Sequence, residues 1–468
     1  MTSQLTVTSE PASFRDPDGA VFYADGEVLR GLSEQGASDW KRLCSSEFFP
    51  RLVDAGKVVR TEEYDREAPL SPRGTPWATV LRHQAVPVVS YPYEWPFAML
   101  RDAAVLQLDV LLAALDDGMS LKDGSAYNTQ FIGARPTFID IGSFETTAGP
   151  WPGYRQFCQT MLFPLLVQAH LRMPYQALLR GSVDGLSAVA VSGLFSGLNR
   201  FRRGVLRNVI LHSALENRTT SSSQETRKNL TKAGYNVELA KATARNLRKL
   251  VLHLDVGKRS STWSSYRNTC SYDDADTQAK EGFVHAALAE RQAGLVLDLG
   301  ANDGAYSRLA AEHADYVVAV DGDEAVVDSL YRQLHEEGRE DILPLVMNLA
   351  DPSGGLGWRN SERMAFSERV KPDLVLALAL VHHLAIGANV PLPQVVDWLT
   401  SFGARLVAEF VHVEDPMVKR LLANKPEGLF NDYRRESFEA LLAERCRIVR
   451  RESLPQGTRT LYLLEVPA

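Results

Sequence analysis

In its carboxyl-terminal part the chain alternates between two kinds of apolar pattern. Short continuous apolar runs occur at Gly294–Leu299, Tyr316–Val320, Ile342–Met347, Asp373–Leu380 and Ala404–Val411. Between them, Ala305–Ala314, Glu324–Glu337 and Leu392–Phe402 carry apolar residues at helical spacing. Short runs bounded by turn residues predict strands buried on both faces, and their alternation with helices predicts a parallel sheet covered on each side. The end of the chain is different. Cys446–Ser453 and Arg459–Val466 flank the turn Leu454-Pro-Gln-Gly-Thr458, which predicts an antiparallel hairpin. The expected fold class is α/β, with a carboxyl-terminal doubly wound sheet of seven strands whose terminal strand is reversed.

The amino-terminal half gives a looser pattern. Trp95–Asp116, Tyr154–His170 and Val237–Leu254 read as helices, and Lys57–Arg60, Val86–Tyr91 and Thr137–Ile141 as strands. Two polar stretches, Arg218–Lys228 and Val256–Ser265, read as linkers. The expected organisation is an α+β domain over 1–150, a mainly helical segment over 151–255 and the sheet domain over 256–468.

Composition narrows the class of protein. At 468 residues, with 45% hydrophobic and 23% charged positions, the chain is globular and too long for one domain. A net charge of −7 gives no global field for a nucleic-acid backbone. The basic segment Arg200–Arg207 therefore reads as a solvated helix face. Cys44, Cys158, Cys270 and Cys446 are too scattered for a disulfide framework or a cysteine metal site. Met1–Pro11 has no targeting pattern, and the most apolar windows, Thr160–Leu171 and Leu186–Leu198, are too short to span a bilayer. The expectation is a cytoplasmic protein without a membrane partner.

The sharpest chemical feature is Asp298-Leu-Gly300-Ala301-Asn302-Asp-Gly304, between a strand and a helix. Such a turn lets a ligand approach the backbone and aims helix amides at it. Asp321-Gly322 ends the next strand, where an acid can accept both hydroxyls of a ribose.

Together with the terminal hairpin, this combination resembles the class I S-adenosylmethionine-dependent methyltransferases over roughly residues 260–468. The resemblance implies that Asp298, Gly300, Ala301, Asn302 and Gly304 hold the methionine part of that cofactor. It implies Asp321 and Gly322 at the ribose, Asn348, Leu349 and Asp351 at the adenine, and Ala379 beside the methyl group. It implies a covering helix, so that Lys280 meets the cofactor carboxylate and Trp263, Tyr266 or Tyr272 packs over the pocket. His382 and His383 follow the fourth strand and are candidates to orient or deprotonate an acceptor. Glu409 and His412 are candidates to line the same pocket. The expected acceptor is a small molecule positioned by the amino-terminal domain. A nicotinamide dehydrogenase and a cofactor-binding scaffold without turnover are the competing readings.

A second group, Asp123, Asn128 and Asp140-Ile-Gly142, resembles the catalytic loop and metal turn of protein-kinase-like phosphotransferases. The resemblance implies a degenerate scaffold or a phosphotransferase with Asp123 as base and Asn128 and Asp140 at a metal. Lys57 is its candidate strand lysine.

Overall fold

The computed structural model describes residues 7–65, 76–146, 150–216, 237–257 and 273–467. The chain divides into two compact units. One is Met1–Phe131, Pro136–Lys258 and Gly355–Met364, and the other is Ile132–Arg135, Arg259–Gly354 and Ala365–Ala468. The stretch 218–228, most of 256–265, and Trp263, Tyr266 and Tyr272 lie outside the described residues.

The first unit contains an antiparallel sheet of β1 (Val7–Ser9), β2 (Gly19–Ala24), β3 (Glu27–Leu32), β4 (Thr61–Glu63) and β5 (Thr79–His83). Its order is β1-β2-β3-β5-β4. Asp25 and Gly26 turn β2 into β3 with φ of 50° and 81°. Both lie in the left-handed region that a two-residue hairpin of matching twist requires. The helix Phe97–Asp116 follows the sheet. Thirteen of its residues are buried, because it runs through the interior instead of along a surface. The short pairs β6 (Met119–Leu121) with β9 (Phe144–Thr146), and β7 (Thr129–Ile132) with β8 (Arg135–Phe138), come next.

Two expected strands of this unit do not form. Lys57–Arg60 is the turn that leads into β4, touching Phe138 through a lone bridge at Val58. Val86–Tyr91 is irregular, with Val88, Ser90 and Tyr91 buried and Pro87 exposed. The Ser90 amide donates to the Gln130 side chain at 2.8 Å and the Tyr91 amide to the Glu94 carboxylate at 3.0 Å. Side-chain acceptors thus satisfy backbone donors that a sheet ladder would otherwise take.

The second unit is a seven-stranded sheet. Its strands are β10 (Ala293–Leu299), β11 (Ala314–Asp321), β12 (Ile342–Val346), β13 (Leu374–Ala377), β14 (Arg405–Val411), β15 (Arg447–Ser453) and β16 (Arg459–Glu465). The order is β12-β11-β10-β13-β14-β16-β15, parallel throughout the first five strands and antiparallel from β14 to β16 and β15. This is the doubly wound sheet with reversed terminal strand expected from the sequence. Leu297, Val317, Val375, Val407 and Leu463 are fully buried across its width, as strands covered on both faces require. The edge strand β15 carries Arg447, Arg450 and Arg451 and is exposed along most of its length, which discourages edge-to-edge pairing. The chain leaves β10 toward β11 on one side, while β13 lies on the other. The crevice at this switch point is where open α/β sheets bind ligands.

Candidate cofactor and acceptor site

The loop after β10 is built on three left-handed positions: Gly300 (φ 84°), Asn302 (φ 49°) and Gly304 (φ 78°). Asn takes the middle one because its short polar side chain tolerates this region better than most. At Gly300 a methyl group would meet only Leu380 Cδ1, 3.9 Å away, so the backbone there faces open space. At Gly304 it would strike Leu330 Cδ1 at 2.6 Å. The first glycine therefore leaves room for a ligand, and the last lets two helices pack closely.

Asp298 lies beneath this loop with 2% of its surface exposed. Ser307 donates its hydroxyl hydrogen to Asp298 Oδ2 at 2.6 Å. Burial pushes the carboxyl up to about 6, against the opposing effects of Ser307 and Lys280. Asp321 ties the neighbouring loops together. Its Oδ2 accepts from the Asn302 amide at 3.0 Å and its Oδ1 from the Asp323 amide at 2.8 Å. Burial raises this carboxyl as well, more than the amides lower it. Each oxygen keeps a further lone pair for a hydroxyl donor. Gly322 is exposed beside Asp321.

After β12, Asn348 Oδ1 accepts from the Ala350 amide at 3.1 Å, which fixes a turn. Asn348 and Asp351 are exposed on that turn and Leu349 is half-buried. After β13, Ala379 is left-handed (φ 51°), a conformation that costs an alanine ~1–2 kcal/mol. Its amide donates to Glu409 Oε2 at 2.9 Å, so a strand-end carboxylate braces the strained turn.

Glu409 is fully buried and is the centre of a charge network. It pairs with Lys280 Nζ at 2.8 Å and accepts from Arg459 Nη1 at 3.1 Å. Arg459 also donates to Asp415 through Nε at 2.8 Å and Nη2 at 3.3 Å. Lys280, expected at a cofactor carboxylate, lies on the helix Asp274–Ala289 with its ammonium paired to Glu409. A lysine that is 4% exposed needs an anion within the protein to remain charged. Its ammonium also sits 5.0 Å from the centroid of Tyr306. His412 meets Thr460 at 2.9 Å.

His382 is fully buried, and neither ring nitrogen has a hydrogen-bond partner among the described residues. Its ring lies 4.1 Å from that of His383. Burial, His383 and Arg459 hold His382 well below the usual histidine range, and burial with Arg459 holds His383 at about 4. Both rings are neutral near pH 7. A ring held below the usual histidine range is a weaker base than free histidine, and in its neutral form it can accept a hydrogen bond.

Asp298, Asp321, Ala379 and the histidines, named from the sequence, lie at or just past the carboxyl ends of β10, β11 and β13. Ser307, Asp415 and Arg459 were not among the residues singled out. Arg459 had a signal: it is the lone charge at the head of the very apolar strand Leu461–Leu464.

The kinase-like group lies in the first unit. Asp123 is raised to about 6 by burial and by Asp140 and Asp16. Asp140 receives Arg30 Nη1 of β3 at 2.8 Å, and Lys122 pairs with Asp18 at 3.2 Å. Lys57 is not on a strand and faces Asp109 at 3.7 Å. The cation facing Asp140 is Arg30. Among the described residues no group of three or more His, Cys, Asp or Glu is arranged to hold a metal, and no helix is long and apolar enough to cross a membrane.

No family model matches the chain. The nodulation protein NoeA of Rhizobium meliloti (strain 1021) is 33% identical over 470 residues, covering 97% of this chain and 95% of that protein. Among solved structures, the N-methyltransferase NodS from Bradyrhizobium japonicum WM9 in complex with S-adenosyl-L-homocysteine is 13% identical. It covers 45% of this chain and 100% of that one, with a TM-score of 0.32. The magnesium protoporphyrin IX methyltransferase of Synechocystis PCC 6803 with bound S-adenosylmethionine is 15% identical. It covers 45% of this chain and 87% of that one, with a TM-score of 0.29. At these scores the fold assignment rests on the strand order itself.

Proposed function

The chain belongs to the family of the nodulation protein NoeA, and within it we propose an S-adenosylmethionine-dependent methyltransferase that modifies a small-molecule acceptor. The observation that carries this reading is Asp298, a carboxylate 2% exposed beneath a glycine loop at the switch point of this sheet. A buried acid there suits a ligand that brings its own cationic amino group. A dehydrogenase site has no such group for it to meet.

The donor set fits the cofactor. Asp298, Gly300, Ala301, Asn302 and Gly304 would hold its amino-acid part. Asp321 and Gly322 would take the ribose, and Asn348, Leu349 and Asp351 would border the adenine. Ala379 would lie along the methyl edge. When bound, the cofactor supplies a methyl group already activated by a sulfonium charge.

The chain's own residues then have an orienting task. His382, neutral and with no partner for its nitrogens among the described residues, can accept a hydrogen bond from an O–H or N–H acceptor and turn its lone pair toward the methyl edge. Arg459 beside it and the arriving cationic cofactor both keep the ring neutral. Lys280 acts through Glu409, which braces the Ala379 turn.

For the first unit we propose a positioning scaffold for the acceptor. Arg30 takes the Asp140 carboxylate that phosphotransfer would need at a metal. The test is transfer of tritiated methyl from S-adenosylmethionine to a panel of small alcohols, phenols and amines by the full chain. Labelled product that disappears in Asp321→Ala supports the reading. Cofactor binding without transfer to any acceptor class supports the non-catalytic scaffold instead.

A further inference from the structure

The segment from Ala188 to Leu211 is unlike the rest of the surface. Six of the fourteen large apolar side chains exposed among the described residues fall within it: Val189, Leu194, Leu198, Phe201, Leu206 and Leu211. Leu198 is 87% and Phe201 73% exposed. These are not residues of an unfolded end. Val191, Phe195, Val205 and Val209 of the same segment are buried at 1% or less and anchor it. The outward apolar side chains therefore sit on a packed base.

Charge adds a second feature. Arg200, Arg202, Arg203 and Arg207 are all exposed, and between Gly185 and Ser213 there is no Asp or Glu. On a chain of net charge −7 this is a local reversal. The sequence alone suggested a solvated helix face. The structure places Arg200 on a short 3₁₀ helix at Gly197–Phe201 and Arg207 on a π-helical turn at Leu206–Ile210, with apolar and basic side chains interleaved in solvent. Gly197, left-handed at φ 52°, turns the backbone just before Leu198.

We propose that this face docks on an anionic lipid bilayer surface. Such a surface supplies both requirements at once, phosphate charge at the headgroups and hydrocarbon just beneath them. Leu198 and Phe201 enter the interface, and the arginines meet the headgroups. A nucleic-acid backbone would satisfy the arginines but leave Leu194, Leu198 and Leu206 in water. Docking of this kind involves no spanning helix, in keeping with the lack of one among the described residues.

The test is co-sedimentation of the full chain with vesicles of phosphatidylcholine alone and of phosphatidylcholine with phosphatidylglycerol at two to one. Binding is expected only to the anionic vesicles and weakens with salt. The triple variant Arg200→Gln, Arg202→Gln, Arg203→Gln is expected to bind about a hundredfold more weakly, as roughly fivefold per basic residue compounds. The corresponding Arg→Lys triple retains most of the binding, and Leu198→Ser with Phe201→Ser loses it. Circular dichroism unchanged in each variant excludes misfolding as the cause. Failure of the wild type to bind, or serine and glutamine variants that bind as the wild type does, overturns the proposal. So does a wild-type dimer in sedimentation velocity that Leu198→Ser with Phe201→Ser dissociates, because the occupant is then a second copy of the chain.

Discussion

Asp298 should make the protein less stable and more able to bind, and the two effects separate by pH. Its carboxyl is raised from the ordinary 3.8 to about 6 by burial. A raised carboxyl destabilises the folded state once it is ionised, so the penalty is absent below about pH 4 and complete above about pH 6. At 1.36 kcal/mol per tenfold change, the rise from 3.8 to about 6 amounts to about 3 kcal/mol. Asp298→Asn keeps the shape and can still meet Ser307, but carries no charge. Urea denaturation of the ligand-free protein should show this variant gaining up to about 3 kcal/mol over wild type at pH 7.5 and nothing at pH 4. Cofactor affinity should move the other way. Loss of a charge-assisted bond worth about 1.5–3 kcal/mol weakens binding about ten- to a hundredfold at pH 7.5. Wild-type affinity itself should fall as pH drops through about 6, and that of the variant should not. Parallel stability curves across this range, or undiminished binding by the variant, refute the reasoning.

Glu409→Gln leaves Lys280 and Arg459 without their shared carboxylate in a fully buried setting, and denaturant titration should show a loss of about 3–5 kcal/mol. Gly304→Ala places a methyl against Leu330 at a left-handed position, and thermal unfolding should report a cost of about 2–4 kcal/mol. Gly300→Ala meets almost nothing, so its stability loss should stay near 1–2 kcal/mol while calorimetry shows weakened cofactor binding. His382→Phe, which keeps an aromatic ring and removes both nitrogens, should lower kcat at least tenfold with cofactor affinity unchanged; equal kcat would remove His382 from the orienting role. With ATP and magnesium the chain should release no phosphate above background, and magnesium-dependent release abolished by Asp140→Ala would contradict the scaffold reading.

The second unit was legible because its strands are buried on both faces. Runs such as Gly294–Leu299 and Ala404–Val411 then match the observed strands within a residue or two. The acids at Asp298 and Asp321 stand out against those apolar runs. The first unit was less legible for a physical reason. Its sheet is partly exposed, its long helix is buried nearly all round, and Val86–Tyr91 takes its hydrogen bonds from side chains. The β2–β3 hairpin had a readable signal in Asp25-Gly26 that the apolar pattern obscured. The Lys280–Glu409–Arg459–Asp415 network was beyond sequence reading because it joins residues from four separate elements. The histidine protonation state was out of reach for a related cause, since it depends on burial that adjacent residues do not reveal.

The carboxyl ends of β10 and β11 are expected to hold S-adenosylmethionine. Calorimetry of the full chain with S-adenosylhomocysteine, and separately with NAD, decides between the two cofactors. One saturable site for S-adenosylhomocysteine, strongly weakened by Asp321→Ala, is expected, with no heat of binding for NAD. Saturable binding of NAD with none of S-adenosylhomocysteine would contradict it.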